Sequence, residues 1–219
     1  MFFPKRNRIL VIALAAVITS WVVPKSVHAV DLINLTSNNF VTWFETNDSG
    51  DRLAQAFATD GTNHVIQSMA LNLFSVDGNT KTFDLDIWSN SGSDTPGTPV
   101  ANVVTGGSFA SFSDQNLYQI GSLSISLDTT TNYWLVLTPA GAGQIRWGQT
   151  DNLTGGFAGF PNAVRRSTDS GANWPETTNL VQTRTRITAV PESSFLGMTA
   201  LLVLVSHAGI RMRRSSNRG

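Results

Sequence analysis

The sequence lacks cysteine altogether and is poor in charge and in histidine. Charged residues make up 14% of the 219 positions, and His64 is the one histidine outside the two terminal segments. Without cysteine there is no disulfide, thiol or Cys-ligated zinc chemistry, and a single histidine leaves little for nucleophilic catalysis. No glycine-rich phosphate loop is found either. The scarcity of charged residues also argues against a coiled coil or a helical bundle.

Small and turn-forming residues are abundant instead. Ser, Thr, Asn and Gly together occupy 81 positions, while 41% hydrophobic residues are enough for a sizeable core. The formal net charge of zero averages regions of different sign, because residues 30–190 carry fourteen acidic residues against seven basic ones. An acidic middle region has no attraction for phosphate backbones, which argues against nucleic acid as a partner.

The N-terminal segment, residues 1–29, has the pattern of a secretory signal peptide. A basic start precedes the apolar run 9–23, and small residues at Val27 and Ala29 form a cleavage pattern that ends at Ala29. Pro24 favours cleavage over the alternative, a retained membrane anchor. The sequence therefore predicts export.

The C-terminal segment has three parts in a fixed order. Val190, Pro191 and Glu192 come first, and the apolar stretch 194–210 follows. As a helix this stretch is about 26 Å long, slightly short of the hydrocarbon core of about 30 Å, so it spans a membrane only marginally. The basic cluster after it predicts a cytoplasmic end at residues 215–219, with the membrane stop formed by Arg211, Arg213 and Arg214.

This tail, residues 190–214, resembles the PEP-CTERM protein-sorting signal of bacteria, which consists of a Pro-Glu-Pro motif, a short membrane helix and an Arg-rich cluster. Ser193 stands where the second proline is usual. The resemblance implies handover to an exosortase, a membrane-embedded processing enzyme of bacteria that make extracellular polysaccharide. It implies transient residence in the inner membrane through the C-terminal helix, then delivery to the cell surface or extracellular matrix. The alternative is a plain, unprocessed anchor.

Between these two ends the hydrophobic pattern has a period of two. Phe83, Leu85 and Ile87 alternate with polar residues, and the same alternation occurs in 122–127 and 181–188. The runs 65–74 and 133–137 are apolar on both faces, as in central strands. With Gly, Asn, Asp and Pro clusters between them, these segments predict nine or ten strands. We expect an all-β fold, a single antiparallel, jelly-roll-like β-sandwich over residues 30–189.

Four segments of this domain carry a second resemblance. Residues 53–59, 96–98, 132–137 and 169–174 occur in the order seen in the choice-of-anchor R family, β-rich extracellular domains carried on varied bacterial surface anchors. The resemblance implies an exported, non-catalytic domain and assigns no active site.

The sharpest local motif is Ser167-x-Asp169-x-Gly171-x-x-Trp174. It resembles the Asp-box hairpin, which is repeated in sialidases and related propellers. Here it occurs once, and the chain is too short for six four-stranded blades. We expect a structural hairpin in which the aspartate holds backbone amides, the glycine takes a permissive dihedral and the tryptophan packs.

Carboxylates are the remaining candidates for chemistry. Asp84 and Asp86 alternate with a buried apolar row, which predicts a solvated outer face rather than a glycosidase pair. We expect no cofactor, although calcium is left open because Asp48, Asp51 and Asp77 lie in turn clusters. His64, at the start of an apolar strand, is expected to be a strand-edge residue.

The sequence thus favours a non-enzymatic, exported protein with a structural or adhesive role. Its expected partners are an exosortase-type enzyme, the membrane and extracellular polysaccharide. The first alternative is a lectin-like carbohydrate-binding module, because aromatic rings stack on sugars and Trp88 lies on the polar side of its strand, which makes it a candidate for an exposed ring. A tryptophan in a β-rich domain nevertheless belongs to the core more often than to a binding platform. The second alternative is a glycan-acting hydrolase.

Overall fold

The fold is built from strands alone within the residues that the structure, a computed structural model, describes. These are 28–36, 40–47, 50–110, 117–141, 143–151, 163–175 and 182–192. Fourteen strands lie in these ranges: β1 Val30–Asn34, β2 Thr42–Glu45, β3 Arg52–Ala58, β4 His64–Leu71, β5 Leu73–Ser75, β6 Lys81–Asn90, β7 Pro96–Phe109, β8 Tyr118–Ile120, β9 Ile125–Leu127, β10 Asn132–Pro139, β11 Ile145–Thr150, β12 Val164–Ser167, β13 Gln182–Thr183 and β14 Thr185–Pro191.

The strands form three sheets in which every pairing is antiparallel. The central sheet has the order β12-β3-β10-β6-β7, and the terminal sheet has the order β1-β14-β4-β8, with β9 also paired to β4. The small sheet has the order β13-β11-β2, with β5 also paired to β11. The all-β, antiparallel prediction is therefore confirmed, although the described chain has more strands than the nine or ten expected.

The period of two corresponds directly to burial in β6. Phe83, Leu85 and Ile87 are fully buried, whereas Asp84 and Asp86 between them are half-buried. Strand β10 differs because it lies in the middle of the central sheet, and all of residues 133–137 are buried. The sequence pattern, apolar on both faces, predicted this position correctly.

The apolar run 65–74 is two strands rather than one. The chain changes sheets at Asn72, which lies between β4 of the terminal sheet and β5 of the small sheet. There the Asn72 backbone N–H donates to the Arg184 carbonyl (3.0 Å), and its carbonyl accepts from the Gly148 N–H (2.9 Å). These bonds satisfy a buried peptide group at the break between the two strands. Because they come from distant residues, the hydrophobic pattern of the sequence does not reveal the position of the break.

All three sheets contribute to one main core. It includes Ile66 and Met69 from the terminal sheet, Leu85 and Leu135 from the central sheet, and Trp147 from the small sheet. A second cluster covers the opposite face of the central sheet, and its buried members are Ala54, Ala56, Ala58, Trp88, Trp134, Val136 and Ala163. The central sheet is thus buried on both sides, which gives a layered, sandwich-like fold.

The first and last strands are neighbours. Val30, the first residue of β1, pairs with Ala189 of β14, and β14 ends at Pro191. Because the two strands are antiparallel, the chain enters and leaves the terminal sheet at the same end. Residues 1–27 of the expected signal peptide 1–29 lie outside the described residues. The expected membrane helix 194–210 lies outside them as well. Among the described residues, no helix meets the length and hydropathy needed to cross a membrane.

We predict that residues 30–192, produced without either flanking segment, fold on their own. All fourteen strands and both clusters fall within this span. The far-ultraviolet circular dichroism should be that of β-structure, and urea should unfold the fragment in one cooperative transition. A helix-dominated spectrum, or a transition without cooperativity, would contradict the fold.

Candidate functional site

The turn after β12 is a closed hydrogen-bonded hairpin. Ser167 Oγ donates to Asp169 Oδ1 (2.7 Å) and accepts from the Gly171 N–H (2.8 Å). Asp169 accepts from the backbone N–H of Asn173 at Oδ1 (2.9 Å) and from its side-chain amide at Oδ2 (2.5 Å). The serine and the aspartate therefore satisfy the backbone donors of the turn, as the sequence motif predicts.

The hairpin requires glycine at position 171. Gly171 has a φ of +89°, and a Cβ there would lie 2.7 Å from Nη1 of Arg52. The preceding residue, Ser170, also has a positive φ, and its N–H donates to the Gly50 carbonyl (2.9 Å). The positive φ strains any residue with a side chain at this position, and a Cβ would also displace the flexible end of Arg52.

The hairpin ends on the second cluster. The Trp174 ring packs edge-on against Trp88 at a centroid distance of 6.0 Å, and the Arg52 guanidinium lies 5.2 Å from the centroid of Trp88. Trp88, the candidate for an exposed ring, belongs to the core instead, because only 7% of its surface is accessible. Asp84 and Asp86 make the outer face of β6 polar along the first part of the strand. Near Trp88 the same face is covered by Trp174 of the hairpin.

A shallow groove of about 420 Å³ lies along one side of the hairpin. It is lined by Thr168, Asp169, Asn173, Trp174 and Pro175. Hydrogen bonds to Ser167 and then to Asn173 lower the pKa of Asp169 to about 2, so its carboxylate stays ionised. A carboxylate with so low a pKa does not serve as a general acid near neutral pH.

His64 does not form a catalytic triad. The side chain is fully buried, and within the described residues it hydrogen-bonds to Asp60 Oδ1 (2.8 Å) and Thr62 Oγ1 (3.0 Å). Both bind the same ring nitrogen, Nε2, whereas a triad needs the acid on one nitrogen and the nucleophile on the other. Hydrogen bonds from Thr62, then from His64, lower the pKa of Asp60 to about 2.

Asp84 and Asp86 are tied to the neighbouring strand β7. Asp84 Oδ1 accepts from the Gly106 N–H (2.8 Å), and Asp86 Oδ1 accepts from the Asn102 side-chain amide (2.9 Å). Each carboxylate thus stabilises the irregular register between β6 and β7. The two acids lie on one strand face rather than across a cleft, which is unlike the arrangement that glycoside hydrolysis needs.

The turn aspartates bind cationic side chains. Asp51 is buried and accepts from Arg166 Nη2 at 2.6 Å, and Asp77 accepts from Lys81 Nζ at 2.9 Å. The hydrogen bond from Lys81, followed by those from Asn79, lowers the pKa of Asp77 to about 2. Asp48 lies outside the described residues. Across the described ranges, no three His, Cys, Asp or Glu side chains converge as metal ligands.

The first residues of the expected sorting motif belong to the folded sheet. Val190 and Pro191 are half-buried in β14 and pair with Val65 and His64 of β4. Glu192 is exposed, and its N–H donates to the Asn63 carbonyl at 2.8 Å. At the other end, Ala29 is exposed directly before β1. The membrane stop at Arg211, Arg213 and Arg214 lies outside the described residues.

Most tryptophans of the described residues belong to the core, as we expect for a β-rich domain. Trp88, Trp134 and Trp147 are buried, and Trp174 is half-buried. Trp43 is 40% exposed instead, the only tryptophan among the large exposed hydrophobic residues in the described part of the chain. The sequence offers one signal for this, since Trp43 alternates with the apolar Phe44 and shares its strand face with Glu45.

Comparison with known proteins gives no family. No family model matches this chain, and no curated protein is significantly similar to it. A structure of the clostridial cysteine protease Cwp84 after propeptide cleavage aligns with 69% of this chain and 38% of its own, at 9% identity and a TM-score of 0.48. The cysteine protease and lectin-like domains of Cwp84, a surface layer associated protein of Clostridium difficile, align with 68% of this chain and 33% of their own, at 9% identity and a TM-score of 0.45.

These two superpositions are too loose to carry an inference about this chain. The chain spans well under half the length of either structure. The site is therefore interpreted from its own geometry.

We predict that Asp169→Ala destabilises the protein in a pH-dependent way. The pKa of Asp169 is about 2 in the folded state, below its ordinary value of 3.8, so the stabilisation is present above about pH 4 and is lost as the pH falls towards 2. Urea unfolding between pH 2 and pH 6 should show the two proteins converging in acid. Thr168→Ala, an uncharged change in the same turn, should show no such convergence. A constant difference for Asp169→Ala would contradict the prediction.

We also predict that Trp174→Ala lowers the free energy of unfolding by about 2 kcal/mol, since it removes a half-buried aromatic ring from Trp88. Val100→Ala, at a site that is 52% exposed, should change it by a few tenths of a kcal/mol. Chemical denaturation of both variants at neutral pH makes the measurement. If Trp174→Ala proved as stable as Val100→Ala, the hairpin would have no packing role.

Proposed function

We propose that this protein is a non-enzymatic, exported domain that an exosortase-type enzyme releases from the inner membrane to the cell surface or extracellular matrix. Its role there is structural or adhesive. In this proposal residues 1–29 are a signal peptide cleaved after Ala29, residues 194–210 are a membrane helix, and the domain is a jelly-roll-like sandwich of the choice-of-anchor R kind.

The observation that carries the proposal is the adjacency of the first and last described strands, β1 and β14. Val30 of β1 pairs with Ala189 of β14, so the expected leader and the expected tail leave the same end of the domain. During export both segments have to reach the same membrane, and this arrangement allows it without unfolding of the domain. Basic residues precede the N-terminal apolar run 9–23 and follow the C-terminal apolar stretch 194–210. Both placements predict that these charges stay in the cytoplasm and that the domain between them is exported.

The position of Pro191 suggests how the tail is presented. Pro191 is the last residue of β14, and Glu192 is exposed with one backbone bond to Asn63. An enzyme that acts after Glu192 would act on chain just outside the folded sheet. His64, Asp84 and Asp86 hydrogen-bond to neighbouring groups of the fold, and the proposal assigns no catalytic role to them.

We predict that mature protein isolated from the native bacterium lacks residues beyond the Pro191–Glu192 region. Mass spectrometry of surface and extracellular fractions makes the measurement. Replacing both Pro191 and Glu192 with alanine should leave full-length protein in the inner membrane, whereas Val100→Ala should be processed normally. Ser193→Pro, which completes a Pro-Glu-Pro motif, should be processed at least as well.

One outcome of the same mass spectrometry would reject the sorting proposal. If an intact peptide that contains residues 211–214 came from the dominant species of the unmodified protein, the tail would be a simple anchor and sorting would be rejected.

A further inference from the structure

The last residues of β14 pair with one strand instead of two. Ala189 pairs with β1 on one side and with β4 on the other. Beyond it, Val190 and Pro191 pair with β4 alone among the described strands, and the Glu192 N–H donates to the Asn63 carbonyl at 2.8 Å. We call Val190, Pro191 and Glu192 the latch segment, and they are also the residues of the expected sorting motif.

An irregularity in the pairing separates the latch segment from the rest of β14. Thr188 is opposite Ser68 and Ala189 is opposite Ile66, so β4 contributes one extra residue between these two pairs. The regular ladder is interrupted there, and β1 supports β14 only as far as Ala189. The latch segment can therefore detach from β4 while the remainder of β14 stays paired, as a local opening of the fold.

Proline is compatible with the middle of the latch segment. Consecutive residues of a strand direct their backbone N atoms to opposite sides, and Glu192 directs its N–H towards β4. The N atom of Pro191 thus points away from β4, to a side where no described strand pairs with it. The missing N–H removes no hydrogen bond from the ladder, so the latch segment pairs with β4 despite the proline.

The turn before β4 holds the acceptor for the latch segment. Asp60 Oδ1 accepts from the Thr62 N–H (2.8 Å) and from Thr62 Oγ1 (2.6 Å), and it hydrogen-bonds to His64 Nε2 (2.8 Å). His64 is fully buried and is the first residue of β4. The Asp60 carboxylate thus fixes the residues on both sides of Asn63, whose carbonyl receives the Glu192 N–H.

A closed latch competes with an enzyme for the same backbone. Proteins that bind an extended peptide commonly pair with its backbone as an additional strand. In the latch segment one backbone edge is already paired with β4, and Val190 and Pro191 are half-buried. An enzyme that needs this edge binds only the detached form, so its apparent affinity falls with the fraction that is detached.

We propose that the latch segment is an autoinhibitory contact, which closes the expected sorting motif against β4 until local opening releases it. Release from β4 then sets the rate at which the tail is processed. This inference rests on the proposed function, because it describes the regulation of the same processing step. The latch itself is measured without an exosortase, which keeps the two tests separate.

The probe for the latch is glutamyl endopeptidase, a soluble protease that cuts after glutamate. Purified full-length chain in detergent is treated with it, and mass spectrometry gives the initial rate of cleavage after Glu192. A synthetic peptide of residues 186–196 serves as the reference without a latch. Since cleavage through a rare opened state follows the population of that state, we expect the folded protein to be cut about tenfold more slowly than the peptide, or slower still.

Asp60→Ala loosens the turn without changing the latch segment, and we expect cleavage after Glu192 to become about threefold faster or more. Asp77→Ala is the matched control. Each aspartate is 49% exposed, accepts from the backbone N–H two residues later and bonds to a buried side chain four residues later. Asp77 lies before β6, which belongs to another sheet, so its loss should leave the cleavage rate unchanged.

A disulfide that locks the latch tests the opposite direction. Val65 and Val190 are directly opposite each other, and the chain has no cysteine of its own. The Cα atoms of such a pair are about 4.5–5.5 Å apart, within the range that a disulfide bridges. The oxidised Val65→Cys/Val190→Cys protein should resist cleavage after Glu192, and reduction of the same sample should restore it. Thermal unfolding shows whether each variant is folded, and the lock carries the test if Asp60→Ala is not.

Pulse–chase labelling in the native bacterium tests the regulation. The tail of Asp60→Ala should be removed faster than the tail of Asp77→Ala or of the unmodified protein. Absence of processing in the unmodified protein would reject the proposed function and would leave the protease results as they are.

Three outcomes would overturn the latch. The first is cleavage after Glu192 that is as fast in the folded protein as in the peptide. The second is a cleavage rate that both Asp60→Ala and oxidation of the locked variant leave unchanged, because the motif would then be cut while it is paired. The third is processing of Asp60→Ala in the bacterium at the rate of the unmodified protein, although the protease cuts the variant faster, because release from β4 would then not limit processing.

Discussion

The burial of β10 on both faces is the constraint on which the rest of the structure depends. Residues 133–137 lie in the middle strand of the central sheet, with the main core on one side and the second cluster on the other. A strand of this kind needs two separate layers to cover it. The terminal and small sheets supply the first layer. On the second side, Trp134 and Val136 pack with alanines of β3, with Trp88 and with Trp174.

The hairpin after β12 follows from that second layer. Its hydrogen bonds use Ser167 and Asp169 to close the turn, and its geometry delivers Trp174 to the cluster. Arg52 links the two, because it lies over Trp88 and against Gly171. The motif that resembles part of a sialidase thus has a structural explanation here, without any reference to glycan chemistry. The groove beside the hairpin is lined only by residues of the turn and of the segment that follows it, 168–175.

The terminal sheet pairs the first and last described strands, and the small sheet carries the exposed Trp43. The pairing of β1 with β14 places the first and last described strands side by side, with Val30 opposite Ala189. The small sheet lies elsewhere in the pairing scheme and directs Trp43 outward while Trp147 faces the core. These two features belong to different sheets, β1 and β14 to the terminal sheet and Trp43 to the small sheet.

The sequence by itself determined the all-β class, the buried row of β6 and the two-sided burial of β10, because these depend on local periodicity. It also determined the residues of the Ser167–Trp174 turn, because the hydrogen bonds that Ser167 and Asp169 make within the turn are local. Only the tertiary structure decided that Asn72 divides an apolar run between two sheets. The same holds for the burial of Trp88 and the partial exposure of Trp43. Trp174 of the hairpin packs on the Trp88 ring, whereas 40% of Trp43 stays accessible to solvent. Periodicity assigns a residue to a strand face, but long-range packing decides whether that face meets water.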